Sequence, residues 1–333
     1  MTGSETVVQG ILLTFALMVI TMPAFIRLLR RLGMGKRIRV EGPESHYIKA
    51  GTPTMGGLLI ILVVGGTAVG LQLATNHFID PSTFAPLATL ALVGLLGTAD
   101  DWLNARTGDG IRGRQKLLWQ TVVAFAAAWQ IQQTYDITAI VVPFVGAIGI
   151  APWAYVLFAA FAIVATSNGV NITDGLDGLA GGTLIFAFVG FLLIAGLNPG
   201  GGQPNLAALC ALIIGALLGF LWFNAHPAQI IMGDSGALAL GATLAVTALI
   251  TGQILLLPLI GIIFVVETGS VIIQVLSYKI LGRRIFRMSP LHHHYELSGW
   301  DEEKITLRFW IVGVLAAMVG VAFFLGTRGL LVP

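Results

Sequence analysis

Ten long apolar runs recur along this 333-residue chain, at 7–27, 55–75, 84–99, 117–134, 151–167, 178–197, 205–224, 236–252, 254–278 and 305–326. A bilayer-spanning helix needs roughly 20 mostly apolar residues, and most of these runs reach that length. Lipid offers no partner for a backbone amide, so each run has to satisfy its own hydrogen bonds as a helix. The expected fold is therefore all-α and polytopic, with about ten transmembrane helices. Composition agrees, because 56% of the residues are hydrophobic and only 10% are charged, too little charge to keep a soluble domain dispersed. No small-residue cleavage site follows the first run, so it reads as a retained span rather than a signal peptide. The single cysteine, Cys210, excludes a disulfide framework and a cysteine-based zinc site.

The basic residues orient the spans. Arg27, Arg30, Arg31, Lys36, Arg37, Arg39 and Lys49 surround the loop after the first run, and Arg106, Arg112, Arg114 and Lys116 follow the third. Lys279, Arg283, Arg284, Arg287, Lys304 and Arg308 surround the loop between the ninth and tenth, which leaves only Arg328 elsewhere. Such asymmetry marks the odd-to-even loops as cytoplasmic and places both termini on the periplasmic side. Between the fourth and fifth runs, Ile137, Thr138, Ile140, Val141 and Val142 precede Pro143 and Gly146. That pattern predicts a small outer hairpin, with an irregular interfacial loop as the alternative. No repeat or low-complexity tract is visible, so residues 1–333 form one integral membrane domain, with the lipid bilayer as its surroundings and no nucleic-acid partner.

Twelve of the sixteen acidic residues fall on the basic side, and five of them stand beside glycines on short connections. Asp100 and Asp101 end the third run, Asp174 and Asp177 lie between the fifth and sixth, and Asp234 precedes the eighth. Taken singly, Asp174, Asp177 and Asp234 would serve equally well as helix caps, and Asp100 and Asp101 as interfacial charges. Taken together, carboxylates at one membrane depth repel one another and call for a cation. Oxygen donors without cysteine favour a hard ion such as Mg²⁺, and phosphoryl transfer is the chemistry that uses such a site. Lys116 is either a point charge for a phosphate or a snorkelling lysine. The loop from Lys49 to Gly57 is expected to feed a helix with Pro53 in its first turn and to bring backbone near an anion. His292, His293 and His294 fit donors to phosphate or sugar better than a zinc site. Glu267, inside the ninth run, is expected to pair with a polar group in the bundle or to line a groove.

Six stretches in this order resemble the phospho-N-acetylmuramoyl-pentapeptide transferase family. They are Gly42–His46 with Gly51–Gly57, Asp100-Asp101, Asn171–Ala180, Phe220–Asn224 with Pro227–Gln229, Gly233-Asp234, and Ser289–Glu296. The resemblance covers effectively the whole chain. It implies transfer of phospho-N-acetylmuramoyl-pentapeptide from its UDP carrier to undecaprenyl phosphate, with release of UMP and a requirement for Mg²⁺. It also implies a bacterial inner-membrane location, a cytoplasmic active site, a homodimer, and a prenyl groove near the ninth span, where Pro258 and Gly261 fit a bent helix. Carried over by position, Asp234 is the metal ligand, Asp100 deprotonates or positions the lipid phosphate with Asp101 beside it, and Lys116, His292 and His293 join the catalytic set. Lys49, Thr54, Asn171, Asp174, Asp177, Asn224, Ile231 and His294 face the nucleotide sugar. Two departures stand out. Ile231 occupies a place where the family usually has a uracil-stacking Phe, and Asn104 one where it usually has Lys.

Two other readings compete. A related transferase would use a UDP-N-acetylhexosamine instead, and the three-histidine run argues against it. An ion-coupled transporter would place its acids near the bilayer midplane, where only Glu267 falls.

Overall fold

A computed structural model of the chain describes residues 3–35, 51–198 and 202–327. Its architecture is helical apart from one hairpin. The order is α1 (Gly3–Arg31), α2 (Gly56–Thr75), α3 (Pro81–Thr107), α4 (Gly113–Tyr135), β1 (Ala139–Val142), β2 (Gly146–Gly149), α5 (Pro152–Thr173), α6 (Leu179–Leu197), α7 (Pro204–Asn224) and α8 (Gly233–Ile250). A 3₁₀ turn at Ile254–Leu256 then leads into α9 (Leu257–Ile260), α10 (Ile262–Leu281), α11 (Leu291–Glu296) and α12 (Glu302–Thr327). Among the described residues, nine of these helices are long and apolar enough to cross a membrane.

The tenth expected span, α4, is a helix of 23 residues but does not reach that apolarity. Five glutamines interrupt it, and two of them, Gln120 and Gln132, are buried inside the protein. Gln120 is buried, and its Oε1 accepts a 2.7 Å hydrogen bond from Asn168 of α5. The third span is longer than expected because its helix continues through Asp100 and Asp101 to Thr107, so both acids project from a rigid helix. The ninth span is broken. Pro258 lies in its first short helix and Gly261 separates α9 from α10. Strands β1 and β2 pair antiparallel from Ala139↔Gly149 to Val142↔Gly146, the hairpin expected between the fourth and fifth spans.

The centre of the bundle is α8, almost wholly buried, with α7 and α6 nearly as enclosed, while α1, α2 and α12 lie outside. Lipid tails give apolar helices no reason to associate, so close backbone approach has to supply the attraction. Small residues provide it. A Cβ on Gly57 of α2 would overlap Gly236 of α8, and one on Gly97 of α3 would overlap the Asp234 carbonyl. These two contacts bring the N-terminal end of α8 against α2 and α3, and the candidate site is built at that end.

Candidate active site

Asp234 stands in the first turn of α8, but its side chain does not cap the helix. Its Oδ2 lies 2.8 Å from Lys116 Nζ, and its Oδ1 accepts a 2.8 Å hydrogen bond from Asn171 Nδ2. Lys116 Nζ is also 3.1 Å from Asp100 Oδ2. One ammonium on α4 therefore joins carboxylates from α3 and α8, while an amide from α5 fixes the remaining oxygen of Asp234. Asp100 is further held by the Ile111 N–H, so its orientation is set on both oxygens.

Asp101 has a different task. Its two oxygens accept the backbone N–H groups of Asp234 and Ser235 at 3.1 and 3.0 Å. It thus caps α8 from a neighbouring helix, satisfying donors that no residue of α8 satisfies itself and placing a negative charge on the helix's positive end. Gly233 is required beside it. Its φ of 75° favours glycine, and a Cβ there would meet Thr54 Oγ1 at 2.8 Å as well as the Asp101 carboxylate.

The cap readings for Asp174 and Asp177 do not describe this structure. Helix α5 ends at Thr173, and α6 starts after Gly178, which carries no side-chain cap. Asp174 accepts the Gly233 N–H at 3.3 Å and so faces the Asp234 segment. Asp177 points the other way: its Oδ2 accepts the Ala228 N–H and lies 3.0 Å from His226 Nδ1. The five acids therefore divide, with Asp100, Asp101, Asp174 and Asp234 around the start of α8 and Asp177 in a second group. That second group, Asp177, His226 and Glu302, has donor atoms within 4.8 Å of one another, and it is the grouping with metal-holding spacing among the described residues.

Ile231, Thr52, Asp177, His226 and Trp300 line a cavity of about 410 Å³ beside this group. Asn224 sits behind it with its amide engaged on both sides, accepting the Gly178 N–H at 3.0 Å and donating to the Ile230 carbonyl at 2.9 Å. The loop before α2 differs from its expectation. Pro53 precedes the helix, and the first free N–H groups, of Gly56 and Gly57, donate to the carbonyls of Ile231 and Met232 rather than facing an anion. Lys49 lies outside the described residues. Asn104 is exposed on the last turns of α3.

The three histidines have separate environments. His292 is buried, its Nδ1 2.9 Å from Glu267 Oε2. His293 pairs with Glu296 at 2.6 Å, and His294 Nδ1 accepts the Arg287 N–H at 3.1 Å. Sequence reasoning missed His226, Glu302, Thr306 and Trp310 as supports of the Asp177 turn; Thr306 Oγ1 and Trp310 Nε1 each donate to its carbonyls, at 3.2 Å. The histidine next to Pro227 was the one visible signal, a polar residue in a motif otherwise read for its asparagine and proline.

Carboxylates from several helices gather around one shared lysine at the end of an apolar bundle, an arrangement suited to an integral membrane transferase that handles a phosphorylated substrate. Residues 83–252 match the model of the family described as Glycosyl transferase family 4. Residues 49–61, which include Lys49 and Thr54, match the phospho-N-acetylmuramoyl-pentapeptide-transferase signature 1. The chain is 44% identical to the phospho-N-acetylmuramoyl-pentapeptide-transferase of Geobacillus sp. (strain WCH70) over 321 residues, 95% of this chain and 97% of that one. The enzyme of that name from Geobacillus thermodenitrificans is 44% identical, and the one from Oceanobacillus iheyensis 43%, each over 95% of this chain and 97% of its own length. The chain belongs to the phospho-N-acetylmuramoyl-pentapeptide-transferase family.

Proposed function

We propose that the protein, acting as a single transferase unit and as a homodimer in the bacterial inner membrane, transfers phospho-N-acetylmuramoyl-pentapeptide from its UDP carrier to undecaprenyl phosphate. The observation that carries this reading is the convergence of Asp100 and Asp234 on Lys116 Nζ, with Asn171 holding the other oxygen of Asp234. The active site opens to the cytoplasm, the side on which the basic loops lie.

A phosphate oxygen of the lipid attacks the sugar-bearing phosphorus. The new P–O bond replaces the anhydride bond to the uridine phosphate, and UMP leaves with the electron pair. One anhydride is exchanged for another, so no water or redox partner is consumed. A phosphate monoester is already largely ionised near neutral pH, so Asp100 acts by placing Lys116 and the attacking group rather than as an obligatory base. Catalysis here is positioning and charge neutralisation. Lys116 supplies a donor to oxygens that gain charge, Asn171 keeps Asp234 turned toward it, and Asp101 holds the α8 terminus in place.

The residues fit Mg²⁺. Two carboxylates already converge on one positive centre, the Lys116 ammonium, and every side-chain donor around it is oxygen apart from amide nitrogens. Asp234 would hold the ion, with Asp100 adjoining. Bound there, Mg²⁺ would neutralise diphosphate charge and polarise its oxygens.

The cavity beside Ile231 takes the uridine end. The prenyl chain lies in an apolar groove of about 370 Å³ between α5 and the broken ninth span, lined by Phe158, Phe161, Pro258, Gly261 and Phe264. Ile231 offers the base no ring to stack on. Ile231→Phe is therefore expected to tighten uridine-containing inhibitors by about fivefold, the equivalent of about 1 kcal/mol of aromatic stacking. Inhibition curves on the two proteins measure it, and equal affinity would remove the stacking argument.

The function is tested by giving purified protein in lipid nanodiscs undecaprenyl phosphate with either UDP-N-acetylmuramoyl-pentapeptide or UDP-N-acetylglucosamine, and measuring UMP. Release from the muramoyl nucleotide alone, abolished by EDTA and restored by Mg²⁺, is expected. Release from the hexosamine nucleotide alone would assign the related transferase activity. Lipid movement without UMP would point to a transporter.

A further inference from the structure

Glu267 lies in the first half of α10, fully enclosed and close to the Asp174–Asp177 turn, and the reaction outlined above does not use it. Its partner comes from α11. The His292 backbone N–H donates to Oε1 at 3.2 Å, and His292 Nδ1 lies 2.9 Å from Oε2. The two side chains are 0% and 1% exposed, so water does not share these bonds. A carboxylate in such surroundings is stable only against a donor, which places the ring proton on Nδ1. The second ring nitrogen, Nε2, is buried with no hydrogen-bond partner among the described residues. A buried polar atom left in that state calls for a reason.

Its position supplies one. Nε2 faces Gly175, where a Cβ would overlap the imidazole, so ring and backbone are packed as closely as glycine permits. Gly175 lies in the turn between Asp174, which holds the Gly233 N–H, and Asp177, which holds the Ala228 N–H. The His293 ring meets His292 edge-on, with centroids 4.2 Å apart. The imidazole is thus a spacer between α10 and the turn carrying two acids of the candidate site.

We propose that Glu267 is a positioning residue: by holding His292 with its proton on Nδ1, it sets Nε2 as a bare edge against Gly175 and fixes the Asp174–Asp177 turn for the nucleotide sugar. Neither Glu267 nor the buried Nε2 touches substrate. The inference rests on the reading of that turn as part of the nucleotide-sugar site.

Glu267→Gln separates shape from proton placement. Glutamine keeps the volume and accepts the His292 N–H, but its amide has to donate to Nδ1, which moves the ring proton to Nε2, against Gly175. The expected result is a KM for UDP-N-acetylmuramoyl-pentapeptide raised about fivefold or more, the scale of one hydrogen bond, with the KM for undecaprenyl phosphate and the yield of folded protein unchanged. Calorimetric affinity for the nucleotide sugar should fall in parallel, a comparison that needs no turnover. His292→Asn is the second variant. It retains a donor near the Nδ1 position and deletes the Nε2 edge, and the same KM pattern is expected. An unchanged nucleotide-sugar KM in both variants, or a fall in kcat alone with both KM values kept, would overturn the proposal. Failure of the functional reading is distinct, because it would appear in the unmodified protein as no UMP release and no nucleotide-sugar binding.

Discussion

Asp234→Ala is expected to lower UMP release by about a thousandfold while the protein remains folded and inserted in the membrane. The magnitude follows from removing one preorganised electrostatic partner, which typically costs roughly 10²–10³ in rate, with the proposed metal lost as well. The fold should survive for a local reason. Lys116 keeps Asp100 as its counter-ion at 3.1 Å, and the α8 terminus is held through backbone N–H groups that alanine still provides. Removal of one of several clustered carboxylates also relieves repulsion. Turnover assays with detergent-stability measurements check both halves, and turnover within tenfold of the parent would remove Asp234 from the chemistry.

Gly97→Val is expected to act through the fold. Even a Cβ at this position would overlap the backbone of Asp234, and valine adds two methyl groups to the same space. Backbone cannot rotate aside as a side chain can, so α3 and α8 have to separate. Overpacking of this kind costs about 3 kcal/mol, read as a lowered thermal midpoint in detergent. Activity should fall further than stability accounts for, because separation carries Asp100 and Asp101 away from Asp234 together. Gly65→Val on α2, where a Cβ would meet open space, is the control and should change neither.

Hydropathy made the helices legible because a bilayer imposes one length and one polarity on whatever crosses it. Helix α4 is the least apolar of the expected spans, because glutamines whose partners, such as Asn168, are distant in sequence dilute Leu117, Leu118, Val122 and Phe125. The acids that gather at the start of α8 stood out in the sequence, but their division of labour, and the separation of Asp177 from them, did not. Short acids beside glycines look alike whether they cap their own helix, a neighbouring helix or nothing. Only the packing of α3 on α8 shows that Asp101 serves the backbone of residues 234 and 235 while Asp100 serves Lys116. The pairing of Glu267 with His292 spans a loop, and that of Asp177 with His226 two helices, so neither follows from local spacing. The loop before α2 misled in the opposite direction. Its glycines resemble an anion-binding entry, yet their N–H groups join the 231–232 segment to α2.

The account places the working cation at Asp234, although Asp177, His226 and Glu302 also have metal-holding spacing. Electron paramagnetic resonance of Mn²⁺ added to the purified protein distinguishes the two, using Asp234→Ala and His226→Ala. The account predicts that Asp234→Ala abolishes tight Mn²⁺ binding and that His226→Ala retains it. Binding kept in Asp234→Ala and lost in His226→Ala would contradict it.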